Sequence, residues 1–184
     1  MGGSNEVLLV RHGETDYNAA DRFQGQLDTP LNERGREQSR ALARALAGEH
    51  VSALYCSPLS RARETAEIVG AALGLEPVLD ARLMEADVGE WAGRLYTEVT
   101  VDDPGAFARW RSADPDFRFP GGESVAEQAA RVAAALADVA AGPLPALVVA
   151  HGGTIRAVDG IVAPRGAVGN CEVLRVPAPA ARRS

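Results

Sequence analysis

The amino-acid sequence predicts an α/β protein in which a mostly parallel sheet is covered by helices on both faces. Three observations carry that expectation. Short apolar, β-branched runs recur at Glu6–Val10, in "VSALYCSP" and in "PALVVAHGGT", each too short for a helix and bounded by turn-forming residues. Between them lie amphipathic stretches long enough for several helical turns, and strands that alternate with helices need crossover connections, which set neighbouring strands parallel. No internal repeat, linker or shift of composition divides the 184 residues, so residues 1–184 are expected to form a single domain with its own core.

The first strand, Glu6 to Val10, stops at the punctuation Arg11-His12-Gly13. A polar loop follows. "TPLNERGREQSRALARALAGEH" then reads as a helix, with Asn32 as cap, Gly48 as stop and Leu42, Ala45 and Leu46 on its apolar face. "VSALYCSP" is the second strand. In "SPLSRARETAEIVGAALGL", Ser57 stands where an N-cap belongs and Pro58 where a first helical residue tolerates proline. Ala62, Ala66, Val69 and Leu73 form the stripe of that helix. "EPVLDARL" predicts a third strand leading into "MEADVGEWAGR", whose glycines and acids continue neither period. Pro104 to Arg111 reads as a helix, and "SADPDFRFPGGES" as a connector or lid that closes on a capping box, Ser124-x-x-Glu127. An alanine-rich helix runs from there to about Ala141. "PALVVAHGGT" repeats the opening pattern, a strand stopping at His151-Gly152. A short helix from Thr154 and a last strand near Cys171 to Val176 finish the chain, with "APAARRS" as a frayed tail.

Composition excludes several classes. Apolar residues make up 46% and charged residues 24%, as in ordinary globular proteins. A net charge of -6 argues against a nucleic-acid surface, which needs a basic excess to release counterions from the phosphodiester backbone. No run reaches the ~20 apolar residues that span a bilayer, and "MGGSNEVLLV" lacks the basic region of a signal peptide, so the expectation is a cytoplasmic protein with no membrane partner. Cys56 and Cys171 stand far apart without metal-ligand spacing, which leaves them as buried small hydrophobes.

In a parallel sheet ligands bind beyond the carboxyl ends of the strands. His12, Ser57 to Arg61, Glu85 and His151 all follow predicted strands, so four segments should converge on one crevice. Neither histidine has a partner at metal-ligand spacing, so no metal is expected. Arg11, Arg61 and the glycines suit a multiply charged oxyanion, most simply a phosphoryl group. Gly13 would let the backbone approach that group. Phosphoryl transfer needs an in-line nucleophile, charge compensation and a proton for the leaving oxygen. A neutral His12 can attack if its other ring nitrogen donates to a fixed acceptor. The proton must come from a carboxyl that keeps it beside anionic oxygens; Glu85, Asp87 and Glu90 are all candidates on spacing.

"LLVRHGETDYN", "FQGQLDTPLNERG", "YCSPLSRARETA", "LMEADVGEWAGR", "PGGES" and "VVAHGGTIRA" resemble the ordered motifs of the histidine phosphatase superfamily, also called the phosphoglycerate-mutase-like family. The resemblance runs from Leu8 to Ala157. It implies a three-layer α/β/α fold and no cofactor or metal. It implies that His12 is the histidine that becomes phosphorylated, that Arg11, Arg61 and His151 complete the phosphate pocket, and that Glu85 is the acid and later the base. It further places Asn18, Gln24, Gly25 and Gly152 against the substrate, a small phosphorylated metabolite.

Cofactor-dependent mutases of that family are generally longer and use basic side chains, lysine included, to retain a second phosphate. This sequence has no lysine, so hydrolysis is expected over mutase-type phosphotransfer, and the full set of catalytic residue types disfavours a binding module without turnover. The segment "IVAPRGAVGN", Ile161 to Asn170, is shorter than in many relatives and leaves one pocket wall expected to be more open. Arg63 is assigned to a surface ion pair on its own helix, His50 to the surface, and Tyr17, Trp91, Tyr96 and Phe119 to either the core or a specificity pocket.

Overall fold

A computed structural model describes residues 5–157 and 168–179. In chain order the elements are β1 (Glu6–Arg11), α1 (Asp16–Ala19), α2 (Glu33–Leu46), β2 (Ala53–Cys56), α3 (Ser60–Leu73), β3 (Val78–Leu79), α4 (Tyr96–Asp102), α5 (Pro104–Arg111), α6 (Val125–Ala140), β4 (Ala146–Ala150), α7 (Gly152–Ala157) and β5 (Val173–Pro177). Short 3-10 turns occupy Ala81–Leu83 and Gly89–Trp91.

The sheet order is β3-β2-β4-β1-β5. β1 and β2 both run parallel to β4, and β3 runs parallel to β2, while β5 is an antiparallel edge on β1. The mostly parallel sheet is therefore as expected from the alternating pattern. Its central strands are apolar on both sides because both sides are covered. Val7 and Leu9, with Ala146 and Val148, pack against Val132, Ala135, Leu136 and Val139 of α6. Leu8, Val10, Leu147 and Val149 turn the other way, against Leu42 and Leu46 of α2 and Ala62, Ala66 and Val69 of α3. One helical layer lies on each face, which gives the three layers of the α/β/α fold.

β4 sits between β1 and β2, so the chain leaving β1 and the chain leaving β2 part around its carboxyl end. That divergence opens a crevice. A third apolar cluster, Phe23, Ala86, Val88, Trp91, Val99, Phe117 and Phe119, forms away from the sheet core. It is built from the segments that connect β1 to α2 and β3 to α6, α4 included.

Several elements differ from expectation. The third strand shrinks to Val78–Leu79 because the Asp80 carboxylate accepts from the Arg82 backbone N–H and starts a 3-10 turn. The helix expected at Pro58 begins at Ser60, and the short helix expected at Thr154 begins at Gly152. On α2 the buried stripe is Gly35, Ser39, Leu42, Ala43 and Leu46, with Ala45 exposed. The stripe turns because α2 lies against both α3 and the loop after β1. α1, within the stretch the sequence reads as a polar loop, is a single-turn helix, and α4, to which the sequence assigns no element, is a two-turn one. The last strand starts at Val173, after Cys171 in a left-handed turn with φ 58°.

Asn32 does cap α2, through Gly35, and Ser124 with Glu127 forms the capping box on α6. The loop between α5 and α6 is pinned by Phe117 and Phe119, both buried. Of the short segment Ile161 to Asn170, residues 161–167 lie outside the described residues, as do 180–184 of the tail.

Candidate active site

His12 follows the last residue of β1, and its backbone N–H still donates to the Ala150 carbonyl at 3.0 Å, which extends the ladder to β4 by one residue. The side chain is 2% exposed. Nδ1 lies 2.6 Å from the Gly13 carbonyl, which can only accept, so Nδ1 carries the hydrogen. Nε2 faces the Arg61 Nε–H at 3.2 Å, a group that can only donate. Two independent contacts thus fix one tautomer, with the lone pair on Nε2. Burial first, then the charges of Arg61 and Arg11, hold His12 well below the usual histidine range, so the ring is neutral at neutral pH.

Arg61 stands in the first turn of α3 and is 1% exposed. Its guanidinium donates to the carbonyls of Leu27 and Gly25, each at 2.8 Å, besides His12. Those bonds tie the loop after α1 to the nucleophile end of β1. Burial pulls Arg61 down to about 10, which leaves it charged at neutral pH. Arg11 is likewise lowered, by burial first. It spends Nη1 on the Val168 carbonyl at 2.6 Å and leaves its buried Nε without a partner among the described residues.

Ser57 explains why α3 starts late. Its Oγ accepts from the Leu59 backbone N–H at 3.3 Å and meets His151 Nε2 at 2.8 Å. Leu59 N–H and His151 Nε2 are the only hydrogen-bond partners of that hydroxyl among the described residues, and since Leu59 N–H can only donate, we assign the hydroxyl hydrogen to His151 Nε2. That assignment puts the single ring hydrogen of His151 on Nδ1, a buried atom with no hydrogen-bond partner among the described residues. His151 is fully buried, with its ring centroid 5.1 Å from that of His12. Burial, then Arg61 and His12, keep it well below the usual histidine range, so it is a neutral donor. The start of α3 is capped from outside, by the Asp28 carboxylate on the Ser60 N–H at 2.7 Å.

Glu85 is held by donors from two elements. Gln128 Nε2 of α6 and the Ala86 N–H both reach Oε1 at 3.0 Å, and the Gly153 N–H of α7 reaches Oε2 at 2.9 Å. Arg131 of α6 braces the loop from behind, donating to the carbonyls of Arg82, Met84 and Glu85 while paired with Glu123. Gly153 has no room for a side chain, because a Cβ there would overlap Glu85 Oε1.

Arg11, His12, Asn18, Gln24, Gly25, Arg61, Glu85 and Gly152 line a single cleft of about 420 Å³, and Phe23, Tyr96, Trp110 and Phe119 form apolar parts of its wall. His151 packs edge-on to the His12 ring and is not among the residues that line the cleft. Asn18 and Gln24 turn their side-chain oxygens toward Thr15 Oγ, at 3.2 and 2.8 Å, and Asn170 reaches the His12 carbonyl at 2.9 Å. The small size of Gly13 has a cause other than the ligand. A Cβ there would strike the Gly35 carbonyl, so the glycine lets the loop after β1 sit on α2. Asp87 and Glu90, the rivals of Glu85, do not line the cleft. Among the described residues no group of three potential ligands could hold a metal ion, and no helix is long and apolar enough to cross a membrane.

A family model described as "Histidine phosphatase superfamily (branch 1)" matches residues 7–161. The chain belongs to the histidine phosphatase superfamily. Relatives within that superfamily include phosphoserine phosphatase 1 of Hydrogenobacter thermophilus, 40% identical over 134 residues, 73% of this chain and 64% of that protein. The chain thus spans slightly less than two thirds of that relative. Glucosyl-3-phosphoglycerate phosphatase of Mycobacterium tuberculosis is 38% identical over 166 residues, 85% of this chain and 74% of that protein. The mycobacterial glucosyl-3-phosphoglycerate phosphatase solved with VO3 superposes with a TM-score of 0.86 at 35% identity, covering 94% of this chain and 90% of that one.

For this histidine phosphatase superfamily member, the sequence brings Ser57 to the crevice but reads it as a helix cap, and gives no place to Gln128, Arg131 or Asn170, which lie on a helix face or loop with nothing local to mark them. Only the pairing across long sequence separations gives them a place in the site.

Proposed function

We propose that this chain is a metal-independent phosphomonoester hydrolase that works through a phosphohistidine on His12, acting on a small phosphorylated metabolite. The observation that carries the reading is the locked tautomer of His12, a residue of the cleft lining whose unprotonated Nε2 accepts from Arg61. Nε2 attacks phosphorus, the P–O ester bond breaks, and the departing alkoxide takes a proton from Glu85. Water then gives a proton to the Glu85 carboxylate and attacks phosphorus. The P–N bond breaks, its electron pair returns to Nε2, and inorganic phosphate leaves.

Arg11 and Arg61 offset the phosphoryl charge, and we assign the unpartnered His151 Nδ1–H, beside the His12 ring, to the same oxygens as a neutral donor. Asn18, Gln24, Gly25 and Gly152 bound the space for the substrate. The two cysteines are free thiols, as befits the reducing cytoplasm in which we place the enzyme. Phosphate release from p-nitrophenyl phosphate in EDTA tests the reading. The wild-type chain turns over and His12→Ala loses at least a thousandfold in kcat; full activity in His12→Ala overturns the proposal.

A further inference from the structure

A guanidinium carries five N–H hydrogens, and in Arg131 every one of them has an acceptor. Nε donates to Glu123 Oε1 at 2.7 Å and Nη2 to Glu123 Oε2 at 2.8 Å, a two-point fork on one carboxylate. The other three hydrogens reach backbone. Nη1 donates to the carbonyls of Arg82 and Met84 at 2.8 and 2.7 Å, and Nη2 to that of Glu85 at 3.0 Å. A cation with no donor left over has nothing to offer a ligand, and Arg131 does not line the cleft. Its whole capacity goes into the segment that carries Glu85.

That segment needs holding. Glu85 lies between the 3-10 turns Ala81–Leu83 and Gly89–Trp91 and belongs to no helix or strand, so no ladder fixes its backbone. Glu123 supplies the outer half of the clasp. Besides taking Arg131, its Oε2 accepts from the Asp87 N–H at 3.3 Å, and its own N–H donates to the Asp87 carbonyl at 2.8 Å. Carbonyls at 82, 84 and 85 on one side and Asp87 on the other thus bracket the glutamate. Gln128 stands three residues before Arg131 on α6, hence on the same helical face, and its side chain donates to the Glu85 carboxylate. One face of α6 therefore holds Glu85 at both ends, the carboxylate through Gln128 and the backbone through Arg131. Lysine does not reproduce that hold, because an ammonium has three hydrogens and no planar fork.

We infer that Arg131, clasped to Glu123, is the positioning residue of the proton donor: it sets where Glu85 stands relative to the leaving oxygen and governs proton transfer without touching the substrate. The inference rests on the phosphatase reading, in which Glu85 gives its proton to the departing alkoxide. General acid catalysis demands hydrogen-bond reach to the leaving oxygen, and a misplacement of about 1 Å costs on the order of a hundredfold. The loss then depends on how much the leaving group needs the proton. A weakly basic phenolate leaves without one, and an alkoxide does not.

p-Nitrobenzyl phosphate and p-nitrophenyl phosphate are similar in shape, but the first releases an alkoxide and the second a phenolate. Their kcat/KM values count only the steps through release of the alcohol, so the later work of Glu85 on water does not enter. In Arg131→Lys the ratio of kcat/KM for the nitrobenzyl ester to that for the nitrophenyl ester falls at least tenfold below wild type, and in Glu85→Gln it falls further. Glu123→Gln, which keeps the guanidinium and removes its charged partner, shifts the ratio the same way and decides the matter if Arg131→Lys does not fold. Val139→Ala, a core change more than two turns further along α6, lowers the melting temperature and leaves the ratio as it was. A wild-type ratio in folded Arg131→Lys, or in Glu123→Gln where the lysine variant does not fold, overturns the inference, as does an equal fall in Val139→Ala. Failure of the phosphatase reading shows separately, as a wild-type chain that releases phosphate from neither ester or a Glu85→Gln ratio that does not move.

Discussion

Ser57 shows how one hydroxyl links two parts of the site. It accepts from Leu59 and donates to His151, so the tautomer of a buried histidine depends on a residue whose local signal is that of a helix cap. Ser57→Ala leaves His151 Nε2 and the Leu59 N–H without that partner in a fully buried place, which costs about 1–3 kcal/mol of stability. It also frees His151 to place its hydrogen on Nε2, where it cannot serve the phosphoryl oxygens. The expected outcome is a fall in the single-turnover rate of phosphohistidine formation of about tenfold, on the order of one hydrogen bond's worth of transition-state stabilisation. Rapid-quench measurement well below the melting temperature separates this from unfolding. An unchanged rate at full folding excludes the tautomer role. At this scale His12, Arg11 and Arg61 were legible because they sit in contiguous motifs at strand ends. Gln128 and Arg131 were not, because each is an unremarkable polar residue on α6 until Glu85, far away in sequence, is folded against it.

Elements with a strong period were read well, and those shaped by a single side-chain contact were not. β1, β4, α2 and α6 carry long apolar patterns or side-chain caps that fix them locally. The start of α7 was misplaced because no cap residue announces it, and its first residues, Gly152 and Gly153, have low helix propensity. Their reason is Glu85. Replacing a helical glycine by alanine favours the helix by about 1 kcal/mol, yet a Cβ at position 153 would occupy the space of Glu85 Oε1. Because the obstructed atom ends a flexible side chain, the carboxylate yields and the fold does not. Gly153→Ala is therefore expected to keep or raise the melting temperature while kcat falls at least tenfold. A drop in melting temperature with kcat intact contradicts that account. The test reads the helix and the site apart.

Over the whole molecule, net charge and local charge oppose each other. The chain carries -6, which by itself repels anionic substrates, and a reading from composition alone predicts that salt speeds their capture. Among the described residues that charge is distributed unevenly: most arginines away from the cleft are neutralised by carboxylates, while Arg11, Arg61, Arg111 and Arg156 meet the cleft without one. Field lines converge on a concave, partly apolar site, and charges more than about 10 Å away are screened at 0.1 M salt, so the near arginines outweigh the distant acids. For a phosphomonoester dianion kcat/KM should therefore fall several-fold as ionic strength rises from about 0.02 to 0.2 M, a range over which the screening length drops through the size of the cleft. The sign decides between the two views, since repulsion by the net charge gives a rise. Initial rates at low substrate across a sodium chloride series, with a chloride-for-acetate exchange to exclude specific anion competition, give that sign directly. A flat or rising profile means that the unpaired arginines do not govern capture.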